Sequence, residues 1–233
     1  MNAIITGATK GIGRAIAEKL ATKGFDLCIC SRNGDDLQAA EVALKKINPS
    51  IRVFTFKADL GVKSQTLDFA NFCLLSFEKI DVLINNAGLY IGGEVVTEED
   101  GALEKMIETN LYSAYHLTRK LLGNMIENQS GYIINMASVA SLLAYPNGGS
   151  YSISKFALRG FSMVLREELK SKGIKVTTVM PGATWSNSWV GVDLPQARLM
   201  QATDIAEAVW SVFEMSPAAV VEELILRPQL GDL

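Results

Sequence analysis

The chain has 233 residues, 48% of them hydrophobic, and its 25 acidic residues against 22 lysines and arginines give a formal net charge of -3. Lys and Arg are scattered and form no basic stripe, which argues against a nucleic-acid partner. No apolar run approaches the roughly 18 residues of a membrane span, and a first strand expected from residue 2 leaves no room for a signal peptide, so a cytoplasmic protein is expected. Seven short runs rich in Ile, Val, Leu or Phe predict strands near residues 2–6, 25–31, 51–57, 81–85, 131–137, 174–180 and 223–227. Helical stretches are expected near 12–23, 35–47, 64–77, 98–128, 150–171 and 203–214. Strict alternation of the two means right-handed βαβ units. The expected fold is α/β: one Rossmann-type domain over residues 1–233, a doubly wound parallel sheet of about seven strands with helices on both faces.

The first βα unit carries Thr6, Gly7, Thr9, Lys10, Gly11, Ile12 and Gly13 between an apolar strand and a helical stretch closed by Gly24. Glycine is needed where the backbone turns with positive φ and where a phosphate must approach closely, and the helix that follows offers unpaired N–H groups and a positive dipole end. The spacing is G-x3-G-x-G, not the commoner G-x-G-x-x-G, but the strand-turn-helix context of a dinucleotide cradle is present. Cys28 and Cys30 fall in the second strand; together with Cys73 they lack metal-ligand spacing and read as reduced core residues, and no metal site is expected. His116, the one histidine, reads as a structural or surface residue.

Further along, Ser138 ends an apolar run, and thirteen positions later Tyr151 and Lys155 stand at i and i+4, one turn apart on a helix face. A phenol with a reference pKa of ~10 becomes a tunable general acid/base when a nearby ammonium favours the phenolate and lowers that value. The Ser138 hydroxyl is suited to hold a carbonyl oxygen and stabilise the alkoxide as it forms. Taken alone, the Tyr–Lys pair also reads as a helix-surface contact.

Together these residues resemble the classical short-chain dehydrogenase/reductase family over nearly the whole chain. The resemblance rests on Thr6 to Gly13, Asp59-Leu60, Asn85-Asn86-Ala87-Gly88, Asn110, Ser138, Tyr151 with Lys155, and Pro181-Gly182. It implies a catalytic tetrad of Asn110, Ser138, Tyr151 and Lys155, with Asn110 holding a water that links Lys155 to solvent. It also implies Asp59 and Leu60 at the adenine edge, Asn86 with Ala87 and Gly88 on the nicotinamide side, and Lys155 on the nicotinamide ribose. Asp59 reads equally as a helix cap and Asn85 to Gly88 as an ordinary turn. After Pro181 and Gly182 the chain departs from the family pattern, and either Thr184 or Ser186 is a candidate for the nicotinamide carboxamide.

The second strand ends in Ser31-Arg32. An arginine there accommodates the 2'-phosphate of NADP, where an acidic residue would accept the ribose hydroxyl of NAD, and Lys10 adds a second cation in the loop. The expected cofactor is therefore NADP(H) in preference to NAD(H), with solvated cations and helix-capping by Asp35 and Asp36 as the other reading. The implied activity is NADP(H)-dependent reduction of a ketone or aldehyde, or the reverse oxidation. Two further readings stay open, a 3-oxoacyl-acyl-carrier-protein reductase-like activity and a non-catalytic NADP(H)-sensing regulator. The tail lacks the Asp-Gly-Gly ending of acyl-carrier-protein reductases and looks more like the branch acting on small hydroxy acids or other carbonyl compounds. Tyr90, Ile91, Tyr145, Trp185 and Trp189 are expected to border the cleft as a substrate wall, or to pack a flap or subunit contact. A homodimer or homotetramer built on the long helices is expected.

Overall fold

The computed structural model describes residues 1–185 and 195–232. Seven strands, β1 (Asn2–Thr6), β2 (Asp26–Ser31), β3 (Val53–Lys57), β4 (Val82–Asn85), β5 (Gly131–Met136), β6 (Ile174–Pro181) and β7 (Glu223–Leu226), form one sheet in the order β3-β2-β1-β4-β5-β6-β7. All six pairings are parallel. The central strands are near-continuous apolar runs because both faces are covered; Ala3, Ile4 and Ile5 of β1 have no exposed surface. Helices α1 (Gly11–Thr22), α2 (Gly34–Ile47) and α7 (Ala202–Phe213) cover one face, through Ile16, Leu20, Leu44 and Val209. Helices α3 (Lys63–Ser76), α5 (Ser113–Glu127) and α6 (Gly149–Leu169) cover the other, through Phe69, Leu117, Leu121 and Leu165. Burying each such side chain stabilises the fold by roughly 1.5–3 kcal/mol.

The one element that differs in kind from the sequence expectation is the stretch 98–128. The helix begins only at α4 (Ala102–Ile107), because Gly101 takes a left-handed φ of 87° that a helix cannot include. Between α4 and α5 the chain widens into a π-turn, Glu108–Tyr112, which carries Asn110. Such wide turns re-aim side chains and are frequent at functional sites.

Strand order reverses at β1, which lies between β2 and β4, so the loops after β1 and β4 part to opposite faces and leave a crevice at the carboxyl rim. Three cysteines are free and buried, with the sulfurs of Cys28 and Cys73 3.4 Å apart. Among the described residues no helix is long and apolar enough to cross a membrane.

Candidate active site

The glycine loop leaves β1 at Gly7, whose φ is 64°. At Gly13 the constraint is space: a Cβ there would lie 2.3 Å from Asn86 Nδ2 and 2.4 Å from the Gly7 carbonyl oxygen. The Asn86 amide donates to the Thr6 and Gly7 carbonyls at 2.9 and 3.1 Å, while Thr6 Oγ1 accepts from the backbone N–H groups of Asn86 and Ala87 at 2.9 and 2.8 Å. Asn86 therefore braces the glycine turn. Helix α1 starts with no side-chain cap on its first N–H groups and no acidic residue in its first turn. A backbone turn that tolerates no Cβ beside an uncapped helix start fits a pyrophosphate.

Beside it runs a groove of about 460 Å³ lined by Gly7, Thr9, Lys10, Ser31, Arg32, Asp59, Leu60, Ala87 and Gly88 among the expected residues. Asn33, Asp36, Leu89 and Thr109 also line it. Thr109 was readable in principle, as the residue before Asn110 on the same turn. Lys10 pairs with Asp36 at 2.7 Å, so its charge is partly neutralised. Arg32 is exposed and has no ion-pair partner among the described residues. Asn33, not Asp35 or Asp36, caps α2: its Oδ1 accepts from both of their N–H groups, at 2.8 and 3.2 Å. Asp59 Oδ1 accepts from the Gly61 N–H at 3.0 Å, which turns the chain at the groove's edge.

At the other end of the crevice stand the four residues of the expected tetrad. Ser138 follows β5 and accepts a hydrogen bond from the Ala140 N–H at 3.1 Å, which fixes its hydroxyl at the start of a 3-10 turn. Tyr151 and Lys155 lie on the first turns of α6, with Lys155 Nζ 5.8 Å from the centre of the Tyr151 ring. Lys155 is 4% exposed and donates to the Met136 carbonyl at 2.8 Å. Asn110 is buried: Oδ1 accepts from the Leu89 N–H at 2.6 Å, and Nδ2 donates to the Leu89 carbonyl and to Ser154 Oγ at 2.9 and 2.8 Å. Its amide thus clamps the loop after β4 to α6. A Cβ on Gly88 would lie 3.4 Å from Asn110 Oδ1 and 3.5 Å from Lys155 Nζ, which puts the amide and the amine on one side of that loop.

The electrostatics differ from the sequence expectation. Burial pushes the Tyr151 phenol above its usual value; a hydrogen bond with the Ser138 hydroxyl opposes the rise and the nearby Tyr90 adds to it. Lys155, also buried, falls from 10.5 to about 8. The expected lowering of the phenol by the lysine is overridden because both charged forms lose water, and Nζ is hydrogen-bonded to a backbone carbonyl. At neutral pH the site holds a protonated phenol and a charged amine.

The last group of expected residues follows β6, the parallel neighbour of β5 in the sheet. The Gly182 N–H donates to the Leu226 carbonyl at 2.8 Å, continuing the Pro181–Leu226 register of β6 and β7. Thr184 is buried, with its hydroxyl donating to the Gly182 carbonyl at 2.9 Å. Ser186 and Trp189 lie outside the described residues. Ile12 packs against the α1-side core, and His116 sits on α5 against Tyr112 and Tyr115, away from the tetrad.

The fold and this rim define a dinucleotide-binding α/β protein of the Rossmann type. Residues 1–193 match the short chain dehydrogenase family, and the chain belongs to it, as an oxidoreductase. It is 34% identical over 240 residues to a sepiapterin reductase of Chlorobaculum tepidum, covering 99% of this chain and 97% of that protein. It is 30% identical over 207 residues to a diacetyl reductase [(S)-acetoin forming] of Staphylococcus epidermidis, covering 88% and 80%. An alcohol dehydrogenase from the archaeon Thermococcus sibiricus, solved with 5-hydroxy-NADP, superposes with a TM-score of 0.90 at 27% identity over 100% and 98% of the two chains.

Proposed function

We propose that the protein is a cytoplasmic, homo-oligomeric NADP(H)-dependent oxidoreductase, acting as one domain, that reduces a small-molecule ketone or aldehyde to an alcohol or runs the reverse oxidation. The observation that carries this reading is the convergence of Ser138, Tyr151, Lys155 and Asn110 at the rim where the nucleotide groove ends. Arg32, at the strand end that meets the adenosine ribose in such folds, supports the phosphorylated cofactor, as does the NADP analogue bound by the Thermococcus enzyme. The two reductases it resembles are named for carbonyl substrates.

When bound, NADP(H) would supply the hydride chemistry at the carbonyl carbon. Gly7, Gly11 and Gly13 with the start of α1 would hold its pyrophosphate, and Arg32, Asp59 and Leu60 would flank its adenosine end. Ser138 donates to the carbonyl oxygen and polarises it. Tyr151 transfers its phenolic proton to that oxygen as negative charge develops, so the C=O π bond is replaced by one C–H and one O–H bond. The tyrosinate left behind is stabilised by the Lys155 ammonium, and Asn110 keeps Leu89 and α6 in register around it.

Tyr151→Phe tests the scheme. NADPH oxidation with a carbonyl panel is expected to fall by at least about a hundredfold, while NADPH affinity measured by fluorescence titration stays within about twofold. Turnover retained in that variant defeats the proposal.

A further inference from the structure

Tyr151 sits in the first turn of α6, where a helix is least secured: the first four N–H groups lack intrahelical partners, and the end frays unless something caps it. This helix brings no cap of its own. Gly148 at the N-cap position has no side chain to offer, and the first turn holds no acidic residue to complement the helix dipole. The Gly148 carbonyl accepts from the Ser152 N–H at 2.8 Å, so the N–H groups before Ser152 must find partners outside the helix. One partner comes from the loop after β4, 52 positions earlier in the chain. The Glu98 carboxylate accepts from the Ser150 N–H at 3.3 Å and from the hydroxyl of Ser150, a residue that is buried. Glu98 is itself set by a turn in which its N–H donates to the Glu94 carbonyl at 2.8 Å.

Both segments are shaped for this contact. A Cβ on Gly149, whose φ is 26°, would lie 2.3 Å from the Gly93 carbonyl oxygen and 3.0 Å from Glu98 Oε2, and one on Gly93 would lie 3.1 Å from Glu98 Cβ. The Gly93 N–H also donates to the Asn147 carbonyl at 3.1 Å. At its other end the same loop is fastened to α6 by Asn110, which bonds Leu89 and Ser154. The stretch from Leu89 to Glu98 is therefore tied to α6 at Ser150 and at Ser154, the two serines that flank Tyr151. Between those ties the Tyr90 ring packs edge-on against the Tyr151 ring, with centroids 4.9 Å apart and an interplanar angle of 84°. We infer that Glu98 is a positioning residue for proton transfer: a helix cap supplied by a distant segment, which holds the first turn of α6 and with it the Tyr151 hydroxyl in line with the substrate oxygen. It acts through Ser150 and not on the substrate. This inference rests on the reductive reading above and adds to it the group that fixes the acid in place.

The test compares the wild type with Glu98→Ala and Glu98→Gln, following NADPH oxidation with hexanal, pentan-2-one and pentane-2,3-dione. A misplacement of about 1 Å can cost about a hundredfold in rate, so Glu98→Ala is expected to lower kcat about ten- to a hundredfold while NADPH affinity in a fluorescence titration stays within about twofold. Its solvent deuterium isotope effect on kcat is expected to rise above that of the wild type, because proton transfer then limits turnover; loss of a cap that served stability alone would lower the melting temperature and leave that ratio unmoved. Glu98→Gln keeps an oxygen for the Ser150 N–H and an amide for the Ser150 hydroxyl. A charged acceptor is roughly twice as strong as a neutral one, so this variant is expected to lose only about three- to tenfold, and it carries the same test if Glu98→Ala melts below the assay temperature. A folded variant whose kcat stays within about twofold of the wild type, or whose NADPH affinity falls as far as its kcat, overturns the inference and leaves the reductive reading intact. A wild type that oxidises NADPH with none of the three compounds defeats both.

Discussion

Lys155 is a buried amine without a carboxylate partner among the described residues, hydrogen-bonded to the Met136 carbonyl, and its pKa of about 8 reflects burial alone. Its folded-state pKa lies below the 10.5 of the exposed group, so the folded chain binds this proton less tightly than the unfolded one. The destabilisation is fully present below about pH 8 and fades as pH rises toward 10.5, a span worth about 3 kcal/mol. The stability of Lys155→Met relative to wild type is therefore expected to fall by about that amount between pH 7.5 and pH 10.5, measured by urea unfolding at each pH. A difference that stays flat across the window would mean that the amine is not desolvated. The sign of this effect was not legible in the sequence. The i, i+4 spacing of Tyr151 and Lys155 correctly brings them to one helix face, but which of charge and burial prevails depends on β5 and the loop after β4, which close over that face.

Across elements, the stitch between β1 and β4 does the most to shape the nucleotide cradle. Asn86 donates two hydrogen bonds across it, and the absence of a Cβ at Gly13 lets the two loops touch. Asn86→Ala is expected to cost about 2 kcal/mol in urea unfolding and to raise KM for NADPH about tenfold, with kcat for the carbonyl changing less. An unaltered stability with a lowered kcat would instead favour contact with the nicotinamide. The elements themselves were largely legible: short runs rich in Ile, Val, Leu or Phe marked all seven strands to within two residues. The braces that Asn86 and Asn110 make were not, because each amide bonds backbone far away in the chain, and Asn110 sits on a π-turn that no local periodicity announces. Asn33 as the α2 cap had a local signal, an asparagine two and three residues before the aspartates, that competed with the aspartates themselves.

For the molecule as a whole, α6 has two faces. One buries Leu158, Ser162 and Leu165 against the sheet, and the other exposes Ile153, Phe156, Met163 and Val164. Gly160 lies amid that exposed stripe, and a Cβ there would meet nothing within 4 Å, so backbone is open to close approach. A contiguous apolar stripe of this kind suits the proposed homo-oligomer. Phe156→Glu is expected to give a lighter particle than wild type in analytical ultracentrifugation with an unchanged circular dichroism spectrum; equal masses would locate the subunit contact elsewhere. The bonds from Asn86 to Thr6 and Gly7 span about eighty positions of sequence. While the chain is being synthesised, then, β1, β2 and β3 emerge with the glycine loop still unsupported. Nucleotide affinity is therefore expected only once the segment through Gly88 is free to fold, and a fragment ending at residue 80 is expected to lack it in an NADPH fluorescence titration.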